Sequence, residues 1–291
     1  MKKLILPIIM IAFSLMAMKA DKEAYRIFDQ KGKKASYAKL LRQAMEADVV
    51  LFGELHNNPI CHWLQLELSK DMFNEKGEQV VFGAEMFERD GQLILDEYTE
   101  GVISTKNFES QARLWPNYET DYKPLVEFAK ENNIPFIATN VPRRYASVTF
   151  RQGFEGLDEL GEHAKMFLPP LPIPYDPELP GYKAMLDMGA GGMGGRPSSD
   201  NFPKAQAIKD ATMAHFILEN LAEGQVFIHY HGTYHSNNFE GIVWYLNQYR
   251  PGLNIMTIAS TEQASVDGLE EENEGLADYI LVIPETMTKT H

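Results

Sequence analysis

The chain has 291 residues, 44% hydrophobic and 23% charged, with 41 acidic against 27 basic side chains and a formal net charge of −14. That balance argues against a nucleic-acid protein, because no basic surface is available to displace counterions from phosphates. The single cysteine, Cys61, excludes an internal disulfide, and the length is sufficient to bury the core of one large α/β domain.

Met1-Lys2-Lys3 gives a positive start, the apolar stretch Leu4 to Met18 follows, and Ala17 and Ala20 offer small residues before Asp21. This pattern predicts a secretory signal over residues 1–20, since the stretch is too short and too closely followed by charge to span a bilayer. Residues 21–291 are then expected to form one domain. No cysteine stands near the cleavage region, so lipid attachment there is not expected. Export without disulfides points to a bacterial periplasm or outer-membrane surface.

Tyr37 to Ala47 has helical spacing, with Leu40, Leu41 and Ala44 on one face. Val49-Val50-Leu51-Phe52 reads as a buried strand that Gly53 ends, and Pro59 opens the next helix. Between them stand Glu54, His56, Asn57 and Asn58. The helix carries Ile60, Leu64, Leu68 and Met72 on one face, with His62 read as a surface or packing residue. Gln79 to Met86 predicts a second strand that delivers Glu85 at its end. Residues 91–98 read as a helix, and an aromatic-rich connection with Trp115, Tyr118 and Tyr122 follows. Lys123 to Asn132 predicts a helix and Ile134 to Ala138 a third strand, ending in Thr139-Asn140-Val141-Pro142-Arg143-Arg144. Arginine there suits planar, bidentate contact with a carboxylate or phosphate.

The composition then shifts. Within an insertion at about 155–203, Pro169, Pro170, Pro172, Pro174, Pro177 and Pro180 precede Gly189-Ala190-Gly191-Gly192-Met193-Gly194-Gly195. A long helical or loop insertion of this kind is usually functional, and its Leu171, Ile173, Tyr175, Tyr182 and Met185 suit a lid or interface. Pro203 to Leu221 is a helix, and Val226 to Tyr230 a fourth strand leading into His231-Gly232-Thr233-Tyr234-His235. A helix over 238–249 and strands over 255–259 and 279–283 close the chain, with the acidic run Glu270 to Glu274 as a solvated loop. Alternating strands and helices predict an α/β fold with a mainly parallel sheet flanked by helices.

Two strand ends match. Gly53-x-x-His56 and Gly232-x-x-His235 each place a histidine three residues beyond a glycine, and Glu54 and Glu85 add carboxylates from two turns. Carboxyl ends of parallel strands are where α/β proteins display functional groups. Imidazoles and carboxylates meeting there suit either a divalent metal held by Glu54, His56, Glu85 and His235, or acid/base hydrolysis by the same residues.

Gly53-Glu54-Leu55-His56, Glu85 in Gly83-Ala84-Glu85-Met86, and Gly232-Thr233-Tyr234-His235 together resemble the motifs of the Tiki/TraB/ChaN superfamily. Asn140-x-Pro142-Arg143 and Gln206-x-x-Lys209-Asp210-x-x-Met213-Ala214 resemble its ChaN-like haem-binding branch, and the likeness runs from about residue 45 to about 250. The resemblance implies haem binding linked to homodimerisation, and a part in iron or haem uptake at the bacterial envelope, with its uptake machinery as partner. It also implies a tyrosine on the haem iron, for which Tyr145, Tyr175, Tyr182, Tyr230 and Tyr234 are candidates, and a basic group such as Arg143 on the propionates. Tyr175 and Tyr182 are preferred, because they lie in the insertion. The wider superfamily implies the alternative of a metal-dependent hydrolase, esterase or protease-like, built on the paired motifs.

Overall fold

The computed structural model describes residues 22–190 and 200–291. The predicted signal segment 1–20 and residues 191–195 of the glycine run lie outside the described residues. The elements in order are β1 (Arg26–Asp29), β2 (Lys34–Ala35), α1 (Tyr37–Glu46), β3 (Val49–Glu54), α2 (Pro59–Lys76), β4 (Val80–Glu88), α3 (Gln92–Thr99), α4 (Thr105–Gln111) and α5 (Lys123–Glu131). There follow β5 (Phe136–Asn140), α6 (Arg143–Gln152), α7 (Glu162–Lys165), α8 (Pro180–Ala190), α9 (Phe202–Glu219), β6 (Val226–Gly232), α10 (Ile242–Tyr249), β7 (Ile255–Gln263) and β8 (Tyr279–Pro284).

The eight strands of the described residues lie in one sheet of order β2-β1-β8-β7-β3-β6-β4-β5. From β8 through β5 every neighbouring pair is parallel, while β1 runs antiparallel to β8 and to β2. The α/β class with a mainly parallel sheet is therefore as the sequence predicts. Val50 and Phe52 of β3 and Ile228 and Tyr230 of β6 face one apolar layer, built with α1, α2, α3 and α5. Val49, Leu51 and Phe227 face a second layer, built with α6, α9 and α10. Strands buried on both faces read as continuous apolar runs, which is why their sequences signal them so clearly.

The element ends shift in ways that matter for the site. β3 runs through Gly53 to Glu54, and β4 runs through Glu85 to Glu88, so both carboxylates sit inside strands and not beyond them. The last long helix starts at Ile242 instead of 238, because Asn238 (φ 59°) and Phe239 (φ 60°) adopt left-handed backbone that breaks a helical run. The β1–β2 hairpin escapes a reading based on long apolar runs, since β2 has two residues and is exposed to half-buried. Over its described residues the insertion is less a free lid than part of the second layer, where Leu168, Ile173 and Tyr182 are buried.

Candidate functional site

The site forms where the carboxyl ends of β3, β6 and β4 lie side by side. Glu54 pairs in register with Gly232 across β3 and β6, and Gly83 with His229 across β6 and β4. The α2 helix is pinned at its start by Asn58, whose side chain accepts from the Ile60 N–H at 3.0 Å, with Pro59 in the first turn. That fixes the short turn carrying His56.

Glu54 is fully buried and saturated. Its Oε1 accepts from His56 Nδ1 at 2.9 Å and from the Tyr122 hydroxyl at 2.8 Å, and its Oε2 accepts from Gln65 Nε2 at 2.6 Å. Burial alone would favour the protonated acid, but the His56 hydrogen bond and the neighbouring His62 outweigh it and hold Glu54 below the usual carboxylate range. Burial likewise opposes charge on His56, yet the Glu54 bond and the Glu85 carboxylate raise its pKa. With Nδ1 engaged, His56 turns Nε2 toward Gly232, where an added Cβ would lie 2.6 Å from that nitrogen. Glycine at 232 is what lets the imidazole approach.

Glu85 forms the second half. Its Oε2 accepts from the Gly232 backbone N–H at 2.8 Å, and its Oε1 lies 3.2 Å from His235 Nε2. The other His235 nitrogen, Nδ1, is 2.5 Å from Asp210 Oδ1, and Asp210 Oδ2 accepts from the Tyr182 hydroxyl at 2.8 Å. A ring with a carboxylate on each nitrogen must donate twice, so His235 is an imidazolium. Its burial disfavours that charge, but Glu85 and Asp210 overcome the penalty and push its pKa up to about 10. Glu85 in turn is held well below the ordinary range against its own burial, by His235 first and then His56.

The structure thus brings all four predicted residues together, but as two carboxylate–imidazole pairs. Both His235 nitrogens are spent on carboxylates, and the Glu54 oxygens on His56, Tyr122 and Gln65. Among the described residues no group of three or more His, Cys, Asp or Glu is arranged to hold a metal ion. This arrangement gives the reading of Glu54, His56, Glu85 and His235 as holders of a divalent metal no support, since the carboxylate oxygens face imidazole N–H groups.

Beside the pairs opens a pocket of about 820 Å³ whose lining includes Trp115, Arg143, Met185, Phe202, Lys209 and Tyr234. Arg143 lies at the start of α6 and lines this pocket. The preferred tyrosines do not line it. Tyr182 is buried with its hydroxyl on Asp210, and burial followed by that carboxylate drives its pKa far up. Tyr175 is half-buried against Phe154 and Tyr182, and burial raises its pKa also. Tyr145 and Tyr230 are buried, the latter bonded to Ser69. Tyr234 alone among these five is exposed, at 74%, and it lies on the pocket.

Asp210, Tyr122, Gln65 and Lys209 are the site residues that sequence reasoning does not assign. Asp210 has a signal: it is an acid on the inner side of a helix otherwise lined by Ala207, Ala211 and Ala214. His229 and His231, which extend the second motif, lie beneath the sheet as neutral rings in a chain from Thr139 (2.6 Å) through the two imidazoles (3.1 Å) to Ser236 (2.8 Å). Burial first, then His235, pushes His231 down to about 3. They hold the turn that carries His235 and do not reach the pocket lining.

Gly53 is fixed by a different contact, since an added Cβ would stand 2.8 Å from the Thr233 Cα. Backbone cannot swing aside as a side-chain tip can. We expect Gly53→Ala to cost about 1–3 kcal/mol of stability by overpacking, read as a lowered urea midpoint; an unchanged midpoint would mean that the two turns are free to separate.

Residues 40–246 match the family of haem-binding uptake proteins, ChaN, of the Tiki superfamily, and the chain belongs to that family. In fold it is similar to ChaN of Campylobacter jejuni, a structure described as cofacial haem binding, with a TM-score of 0.69 and 17% identity over 91% of this chain and 98% of that one. It is also 25% identical over 207 residues to Protein RETICULATA-RELATED 5, chloroplastic, of Arabidopsis thaliana, covering 67% of this chain and 27% of that protein. The chain thus spans about a quarter of the length of that curated relative. A mutant of an erythromycin esterase, in its open conformation, is a more distant likeness, with a TM-score of 0.45 and 11% identity over 82% of this chain and 77% of that one.

Proposed function

We propose that this chain binds haem in the pocket at the strand ends, with Tyr234 on the iron and Arg143 and Lys209 on the propionates. The observation that carries the reading is Tyr234: an exposed tyrosine with no hydrogen-bond partner among the described residues, at the mouth of a pocket of about 820 Å³. A pocket of this size is within the range of small-molecule and cofactor sites. Trp115, Met185 and Phe202 offer apolar contact to a macrocycle face, and Arg143 and Lys209 carry no ion pair among the described residues. Ferric haem, when bound, would supply an iron centre that the Tyr234 phenol oxygen would hold. The family supports haem as the ligand. Export, a haem-linked homodimer and service to iron or haem uptake at the bacterial envelope belong to the same proposal, motivated by the N-terminal sequence and the resemblance. Fusing residues 1–25 to a reporter and assaying its export in a bacterial host tests the export arm, and retention in the cytoplasm would remove it.

A second reading rests on the Glu54–His56 pair. A carboxylate holding Nδ1–H leaves Nε2 free to take a proton from water. That is ester hydrolysis, and it needs no metal ion. If it operates, turnover of a small-ester panel falls at least about 100-fold in His56→Ala, the scale of general-base contributions. Turnover that survives in the variant, or none in the parent chain, counts against it.

A further inference from the structure

One part of the pocket wall repeats an arrangement. Asn140 and Arg143 stand three apart at the end of β5 and start of α6, and Gln206 and Lys209 stand three apart on α9. Neither cation has an ion-pair partner among the described residues. Asn140 is more than nine-tenths buried, and its Nδ2 donates to the Glu85 carbonyl at 2.9 Å. That bond fixes which way the amide faces, because flipping it would set oxygen against oxygen. Its Oδ1 is therefore turned away from Glu85 and is buried with no hydrogen-bond partner among the described residues, as is Gln206 Oε1. A buried acceptor left unpaired costs about 1–3 kcal/mol, so both amides call for a donor.

We infer that this wall is a subsite for a hydroxycarboxylate, a carboxylate bearing hydroxyl groups close to it. The carboxylate would take Arg143 and Lys209, and the hydroxyls would donate to Asn140 Oδ1 and Gln206 Oε1. The charge around the wall agrees. Of the acids on the pocket, Glu54 and Glu85 are engaged in the two pairs and Glu88 pairs with Arg113 at 3.2 Å, while the Lys209 charge also acts on Glu85. In a chain with net charge −14, the two cations that line this pocket without an ion pair of their own among the described residues favour an anion. A plain carboxylate satisfies only half of the wall, since it brings no donor. This goes beyond haem binding, and a haem propionate would compete for the same cations.

The test titrates the purified chain, free of haem, with tartrate and with succinate, which differ only in the hydroxyls, by calorimetry at neutral pH. We expect tartrate to bind at least about 10-fold more tightly, the value of one to two net hydrogen bonds. Lys209→Met should weaken both ligands alike, whereas Gln206→Leu and Asn140→Leu should erase the preference. Equal affinities, no binding of either acid, or a preference that persists in both Leu variants would overturn the inference. The readout uses no haem, so it fails or succeeds separately from the haem titration.

Discussion

Replacing Tyr234 by Phe is expected to remove the ferric-haem absorption signature, or to weaken haem by more than the roughly 10–100-fold that loss of a mere supporting partner costs a metal site. The substitution deletes one oxygen atom from an exposed ring, so the fold should be untouched. Tyr175→Phe and Tyr182→Phe serve as contrasts. Neither phenol lines the pocket, and the Tyr182 hydroxyl is bound to Asp210. Haem spectra that are unaltered in Tyr234→Phe but lost in either of the other variants would move the iron away from the pocket mouth.

His235→Gln is expected to destabilise the chain by about 3–5 kcal/mol at neutral pH, the cost of breaking a buried ion pair and stranding its partners. Here two carboxylates, Glu85 and Asp210, lose their common cation in a fully buried position. The pH dependence has a definite sign. The folded-state pKa of His235 is raised from 6.5 to about 10, so its contribution is complete below about 6.5 and disappears as pH climbs through about 10. Glu85 works in the opposite direction: its pKa is lowered, so its share is present above the ordinary value of 4.5 and is lost on acidification. Urea midpoints of the parent chain should therefore fall between pH 7 and pH 10, and that slope should flatten in His235→Gln. Parallel slopes for the two proteins would show that His235 is not an imidazolium in the folded state.

Much of the architecture is legible because β3, β4 and β6 are buried on both faces and write that burial as unbroken apolar runs. Where sequence and structure part, local signals are overruled by neighbours. Gly53 looks like a strand terminator, yet it continues β3 because the Thr233 backbone crosses it too closely for a side chain. Asn238 and Phe239 match a helical pattern, but their left-handed backbone delays α10 to Ile242. The pairing of Gly53-x-x-His56 with Gly232-x-x-His235 does locate the site. What residue types cannot convey is orientation. The same four groups meet as two carboxylate–imidazole pairs, and residue types do not say that Asp210 from α9 and Tyr122 and Gln65 from the other layer fix those pairs. The choice of tyrosine meets the same limit. Lying in a proline-rich insertion says nothing of whether a phenol faces a pocket or an aspartate.

Haem binding in the pocket beside the two carboxylate–imidazole pairs is the proposal on which the role of Tyr234 depends. Absorption titration with ferric haem, run together with the mass of the protein in solution, tests it most directly. A saturable Soret shift and a doubling of mass are expected as haem fills the site. A spectrum that never departs from that of free haem, at any protein concentration, contradicts it.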